Sequence, residues 1–245
     1  MAGTEPGAPQ EPPAPYEGDR YQRLTLTGDP SSRGHGLMHR LLESGETDRH
    51  HARVLEVGAN RGEHLAFVRH PWSEYVMLDL VDRIEGPLPS GARFVTGDAH
   101  ALPFPDAHFD RTVMTCVLHH LTDPELAMAE LRRVTRPGGR ISVLLPTDPG
   151  IAYRAVRALT SGRRARRSGV ARQQRLTHAR EHRNHFAALM IMLRSVFAAD
   201  HVGVRYFPFA IPTWNLNLLT VVRVRRADRD GGRAGDPQDP RASSG

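Results

Sequence analysis

Three carboxylates, Glu56, Asp79 and Asp98, each stand at or near the end of a short apolar run. Glu56 is followed by a glycine-bearing turn, Gly58-Ala-Asn-Arg-Gly62, and Asp98 by Ala99. A fourth run, Phe109 to Thr115, ends in a hydroxyl. If these runs are parallel strands, their carboxyl ends share one sheet edge, where ligands of open α/β folds bind. A backbone-lined turn beside spaced acids suits a ligand with hydroxyls, an exocyclic amine and a positive charge. A bare pyrophosphate would be repelled by the same carboxylates.

A second group lies further along. His119 and His120 follow the fourth run, where a neutral imidazole can act as a general base. His178, His182 and His185 are spaced four and then three residues apart, so on one helix they share a face and are expected to contact substrate. Apart from Glu181, no cysteine or carboxylate cluster completes a metal shell there, and no metal is expected. Tyr153, Arg154 and Arg157 are further substrate candidates. Arg163-Arg164 and Arg166-Arg167 read as a solvated loop, because no aromatic stacking platform accompanies them and nucleic acid is not an expected partner.

The elements that must position these groups alternate from Val54 onward. Strands are expected at Val54–Val57, Tyr75–Asp79, Arg93–Val95, Phe109–Thr115 and Arg140–Leu145. Gly36–Leu42 has helical apolar spacing. A helix is expected over Gly62–Arg69, stopped by Pro71. Another runs from Pro124 to Val134, with Asp123 as N-cap and Pro124 at its first position. Pro137-Gly-Gly139 reads as a turn before the fifth strand. Tyr153–Leu159 and a long segment His178–Phe197 read as helices, and Val202–Phe207 and Asn215–Val224 as strands. This alternation argues a doubly wound, mostly parallel sheet with an antiparallel C-terminal edge strand.

The Pro/Gly-rich stretch 1–20 and the stretch from 226 are expected to be disordered. One domain should occupy 21–225, with a lid insertion at 147–183. The chain of 245 residues is long enough for a sizeable core, and no apolar run is long enough to span a bilayer. Its start lacks the apolar core of a secretory signal. One cysteine, Cys116, permits no intramolecular disulfide, which suits a cytoplasmic protein; it reads as a core residue in the fourth strand. All 33 basic residues are arginine, so the +6 balance reflects a GC-rich genome before it reflects a nucleic-acid partner.

Together, Val54-Leu-Glu-Val-Gly-Ala-Asn-Arg-Gly62, Asp79, Gly97-Asp-Ala-His-Ala-Leu-Pro-Phe-Pro-Asp-Ala-His-Phe-Asp110, Val117-Leu-His-His-Leu121 and Arg136-Pro-Gly-Gly-Arg140 resemble the class I S-adenosylmethionine-dependent methyltransferases. The resemblance covers roughly Leu37 to Leu145 and implies a Rossmann-like seven-stranded sheet and S-adenosyl-L-methionine as cofactor. It implies that Gly58, Ala59, Asn60 and Gly62 form the wall beside the methionine and ribose. Asp79 and Leu80 would meet the ribose and its surroundings, Asp98 and Ala99 the adenine, and Thr115 would close the site. Glu56 would order the turn or face the ligand's ammonium. Asn60 stands where the family usually has glycine, and its tolerance of left-handed backbone should preserve the turn. The expected acceptor is an oxygen or nitrogen of a small polar metabolite. A lipid or cell-envelope precursor, or cofactor binding without turnover, are the alternatives. The oligomeric state is left open.

Overall fold

The computed structural model describes residues 33–228 apart from 161, 164, 165, 167, 168 and 170. The expected tails at 1–20 and beyond 228, and Arg164 and Arg167, lie outside the described residues. The elements are α1 (Arg33–Glu43), β1 (Arg53–Val57), a 3-10 helix (Glu63–Phe67), β2 (Glu74–Asp79), β3 (Ala92–Thr96), β4 (Phe109–Thr115) and α2 (Pro124–Val134). They continue through β5 (Thr135–Pro146), α3 (Ile151–Leu159), α4 (Ala171–Glu181), α5 (Phe186–Val196), β6 (His201–Phe207) and β7 (Leu219–Arg225).

The strands form one seven-stranded sheet in the order β3-β2-β1-β4-β5-β7-β6. Pairs among β1 to β5 are parallel, and β7 runs antiparallel to both β5 and β6. The antiparallel strand thus inserts beside β5, and β6 forms the outer edge. The β1/β4 junction is where strand order reverses, so the carboxyl ends of β1, β2, β3 and β4 line the crevice outside it.

The two faces of the sheet are covered differently. One carries α2 and α5, whose Ala127, Met128, Leu131, Leu189 and Leu193 pack on Leu55, Val57, Val76, Ile141 and Val143. Asp123 accepts from Leu126 N–H at 2.9 Å and Pro124 starts α2, as its sequence predicts. The other face buries Val54, Tyr75, Met77, Val113 and Leu144 beneath α1 and also holds ions. Arg111, wholly buried, makes a two-pronged contact with Glu43 at 2.7 and 3.0 Å. His64 Nε2 lies 3.0 Å from Glu43 Oε1, and these partners hold the Glu43 carboxyl down at about 2 against the opposing cost of burial.

Five expectations need correction. Gly62–Arg69 is not an α-helix: after left-handed Gly62, the chain makes the short 3-10 turn and is extended again at Val68. His64 is drawn to Glu43, and Pro71 follows too soon for further turns. His178–Phe197 is two helices, because the N–H groups of Arg183 and Asn184 donate to His119 O and that of Phe186 to Asp148 O, outside the helix. Pro137–Gly139 is an irregularity within β5, with a register shift opposite Phe109–Arg111. Residues 215–218 are loop, since buried Asn217 donates to Ile211 O and Thr213 O at 3.0 and 2.7 Å. The chain also stays bonded past 225, with Ala227 N–H donating to Asp200 Oδ1 at 2.8 Å.

Candidate active site

β1 delivers the chain into the turn through three left-handed residues, Gly58 (φ 78°), Asn60 (φ 51°) and Gly62 (φ 74°). A Cβ on Gly58 would lie 2.2 Å from Val117 Cγ2, so both packing and backbone demand glycine there. Asn60 adopts the left-handed conformation and donates its amide to Glu63 Oε1 at 3.0 Å. The missing middle glycine therefore leaves the turn intact.

All five N–H groups of the turn are used within the chain. Gly58 and Ala59 donate to Leu78 O at 2.8 and 3.1 Å, and Gly62 to Ala59 O at 2.8 Å. Asn60 N–H donates to Asp79 Oδ2 at 2.8 Å and Arg61 N–H to Glu63 Oε2 at 3.1 Å. This differs from the phosphate-binding use of a strand-to-helix turn, where backbone N–H groups point at the anion.

The same bonds fix Asp79. Its Oδ1 accepts from Leu80 N–H at 2.7 Å, and Arg83 stands 3.8 Å away. A carboxylate has about four acceptor sites, so ligand hydroxyls can still be received. Leu80 beside it is 49% exposed, an apolar surface at the crevice rim. Asp98 Oδ1 accepts from His100 N–H at 2.9 Å and lies 2.7 Å from its Nδ1, which holds the carboxyl below its usual range despite the opposing effect of desolvation. Ala99 is buried. Thr115 Oγ1 and Asn60 Oδ1 are buried without a hydrogen-bond partner among the described residues. Such orphaned polar atoms at a crevice fit a polar ligand.

Glu56 lies elsewhere: it is buried on the α1 face, where Tyr75 Oη donates to it at 3.0 Å, and burial raises its carboxyl to about 7. Cys116 sits just past β4 at φ 56°, and burial pushes its thiol up to about 12, leaving it unionised at neutral pH.

The lid side is assembled from distant segments. His119 is buried, with its ring centroid 4.0 Å from His120 and 4.4 Å from His182. His178 and His182 stack at 3.7 Å on α4 and just beyond it. His182 Nδ1 is 2.8 Å and His178 Nε2 3.0 Å from Asp148 Oδ2, directly after β5. His120 Nδ1 is 3.0 Å from Glu181 O. Burial foremost, then neighbouring imidazoles, holds His120 at about 4, and burial holds His182 at about 4 despite Asp148. Both rings are neutral near pH 7. His185 is exposed and caps α5 from outside this group, because the helix breaks before it.

Tyr153 and Arg157 lie on α3, and Arg157 acts electrostatically on His182. With Leu37, Met38, Leu218 and Leu219 they line a cavity of about 270 Å³. Arg154, Arg163 and Arg166 are exposed. Asp148 and Asn184 escape the sequence reading. Asp148 carried a signal, an acid directly after a strand, like Asp79.

A sheet of this order, with one inserted antiparallel strand and acids at successive carboxyl ends, defines the class I methyltransferase fold. Residues 55–143 match the methyltransferase domain family. Over 110 residues it is 33% identical to the ubiquinone/menaquinone biosynthesis C-methyltransferase UbiE of Ectopseudomonas mendocina, covering 40% of this chain and 43% of that protein. Over 99 residues it is 38% identical to a demethylmenaquinone methyltransferase of Renibacterium salmoninarum, covering 37% and 40%. These matches span less than half of each curated relative. The N-methyltransferase NodS of Bradyrhizobium japonicum, solved with S-adenosyl-L-homocysteine, shares the fold at a TM-score of 0.56 and 15% identity, over 85% of this chain and 97% of that one. A methyltransferase of Thermotoga maritima, described as a possible histamine N-methyltransferase, gives 0.53 at 16% identity, over 86% and 94%.

Proposed function

We propose that the chain binds S-adenosyl-L-methionine at this crevice and transfers its methyl group to a small-molecule acceptor. The observation carrying this reading is the set of acceptors at the carboxyl edge, beside a turn whose N–H groups are already bonded within the chain. Asp79 would receive the ribose hydroxyls, Asp98 the adenine amine and the Ala99 N–H a ring nitrogen. Gly58, Ala59, Asn60, Gly62, Leu80 and Thr115 would form the surrounding wall. The bound cofactor supplies an electrophilic methyl on a good leaving group. The chain's own part is alignment of the acceptor with that methyl. His119 and His120, held neutral, are suited to receive the acceptor's proton.

The acceptor we favour is an oxygen or nitrogen nucleophile on a small metabolite. The cavity beneath α3 supports an apolar body there, with Arg157 matched to a polar or anionic group. His178 and His182 would border the acceptor; exposed His185 would reach it only at the rim. A second reading, a lipid or cell-envelope precursor, is favoured by exposed Ile151 (69%), Val156 (43%) and Leu159 (56%) on α3. No helix among the described residues is long and apolar enough to cross a membrane. A cytoplasmic enzyme without a nucleic-acid partner fits both readings.

Radiolabelled methyl transfer tests this. Soluble phenols and amines should accept label in water if the first reading holds, and vesicle-borne prenylated quinols if the second does. Cofactor binding without transfer to any acceptor class would favour a non-catalytic role.

A further inference from the structure

At the seam between lid and sheet, three imidazoles from two segments converge. His119 and His120 come from the loop after β4, and His182 from the end of α4. One ring nitrogen from each lies within 4.8 Å of the others. Isolated neutral imidazoles gain little from such crowding. Around one cation they become a ligand set, because each offers one ring nitrogen to the same point.

We propose that His119, His120 and His182 hold one divalent transition-metal ion of the zinc class, which pins the lid to the sheet. Three nitrogens with a remaining open position is the pattern of a reactive zinc site. Bonds of about 2.0–2.1 Å in a tetrahedron set nitrogens roughly 3.4 Å apart, so small ring rotations close the site. Two ligands already have the outer partners that metal-bound histidines require. His182 Nδ1 faces Asp148 Oδ2 at 2.8 Å, and His120 Nδ1 faces Glu181 O at 3.0 Å. A proton on each Nδ1 puts the lone pair on Nε2. The third ligand, His119, has a buried Nδ1 with no hydrogen-bond partner among the described residues.

Asp148, His178 and His182 form an overlapping triad. It is the weaker choice, because Asp148 Oδ2 already sits against both imidazoles at 2.8 and 3.0 Å. The His119 set uses that carboxylate as an orienting partner. With the ion bound, His119 and His120 are ligands and no longer proton acceptors, and a metal-bound water or acceptor oxygen would complete the shell. Only this last point rests on the proposed methyl transfer; binding of the ion does not.

The test is a titration of the full chain, stripped by chelator, with cobalt(II) chloride and no S-adenosylmethionine. Visible bands of low-coordinate cobalt should saturate at one ion per chain and vanish on adding one equivalent of zinc. His119→Gln and His120→Gln should each weaken cobalt binding at least tenfold, and His201→Gln, on exposed β6, should not. His178→Gln should retain the bands. Absence of a saturable band in the wild-type chain overturns the proposal whether or not the variants fold. So does retention of the bands in His119→Gln with their loss in His178→Gln, which would assign the ion to the overlapping triad.

Discussion

The two halves of the carboxyl edge are built by different means. Around β1 and β2 the site is made by local chain: a five-residue turn, its own N–H groups, and one carboxylate that ties the turn to the next strand. Around β4 and β5 it is made by side chains from separate segments, such as His182 and Asp148, 34 residues apart, brought together when α4 docks. The first half is fixed before any ligand arrives. The second depends on α4 and α5, whose connecting residues donate to His119 O and Asp148 O. This division lets the turn keep its geometry while the β4–β5 side changes independently.

The largest expected effect falls on the first half. Asp79→Ala removes both the proposed ribose acceptor and the partner of Asn60 N–H. S-adenosylmethionine affinity should fall about 100-fold, near 3 kcal/mol, as read by calorimetry. A change below threefold would move the cofactor away from this turn.

Next comes Glu56. Its folded carboxyl is raised from 4.5 to about 7, so the folded state favours the protonated form. Its contribution is therefore fully present below about pH 4.5 and is lost as pH rises through about 7. Glu56→Gln should flatten that dependence and raise stability at pH 8 by about 2 kcal/mol in urea unfolding. An unchanged pH profile would show that Glu56 ionises without cost.

Gly58→Ala should cost about 1–3 kcal/mol, because its Cβ meets Val117 and its φ is left-handed. Adding Val117→Ala should recover the packing part of the loss and leave the backbone part. The smallest effect belongs to the second half. Arg157→Ala should raise acceptor KM roughly fivefold, about 1 kcal/mol, with cofactor affinity unchanged. Equal loss in both would mean that the halves are not separable.

This division also explains what the sequence disclosed. The strands, α2 with its Asp123 cap and the turn with Asp79 were legible because each rests on neighbours in the chain. The break between α4 and α5 was not, since it is caused by carbonyls of His119 and Asp148 taking N–H groups a helix would otherwise have used. The pairing of buried Arg111 in β4 was equally hidden, since its counter-charge, Glu43, lies 68 residues away. Glu56 misled for a related reason. Strand alternation turns it to the α1 face, and its position near the strand's end said nothing of that direction. The histidine cluster was half visible: the four-residue spacing of His178 and His182 survives, and the further step to His185 falls beyond the helix end.

The crevice is proposed to take a cationic, hydroxyl-bearing nucleoside and not a pyrophosphate. Calorimetric titration of the full chain with S-adenosylmethionine, and separately with NAD, measures it directly. One molecule of S-adenosylmethionine should bind per chain, with no heat from NAD under the same conditions. Binding of NAD, or no binding of S-adenosylmethionine, would contradict the account.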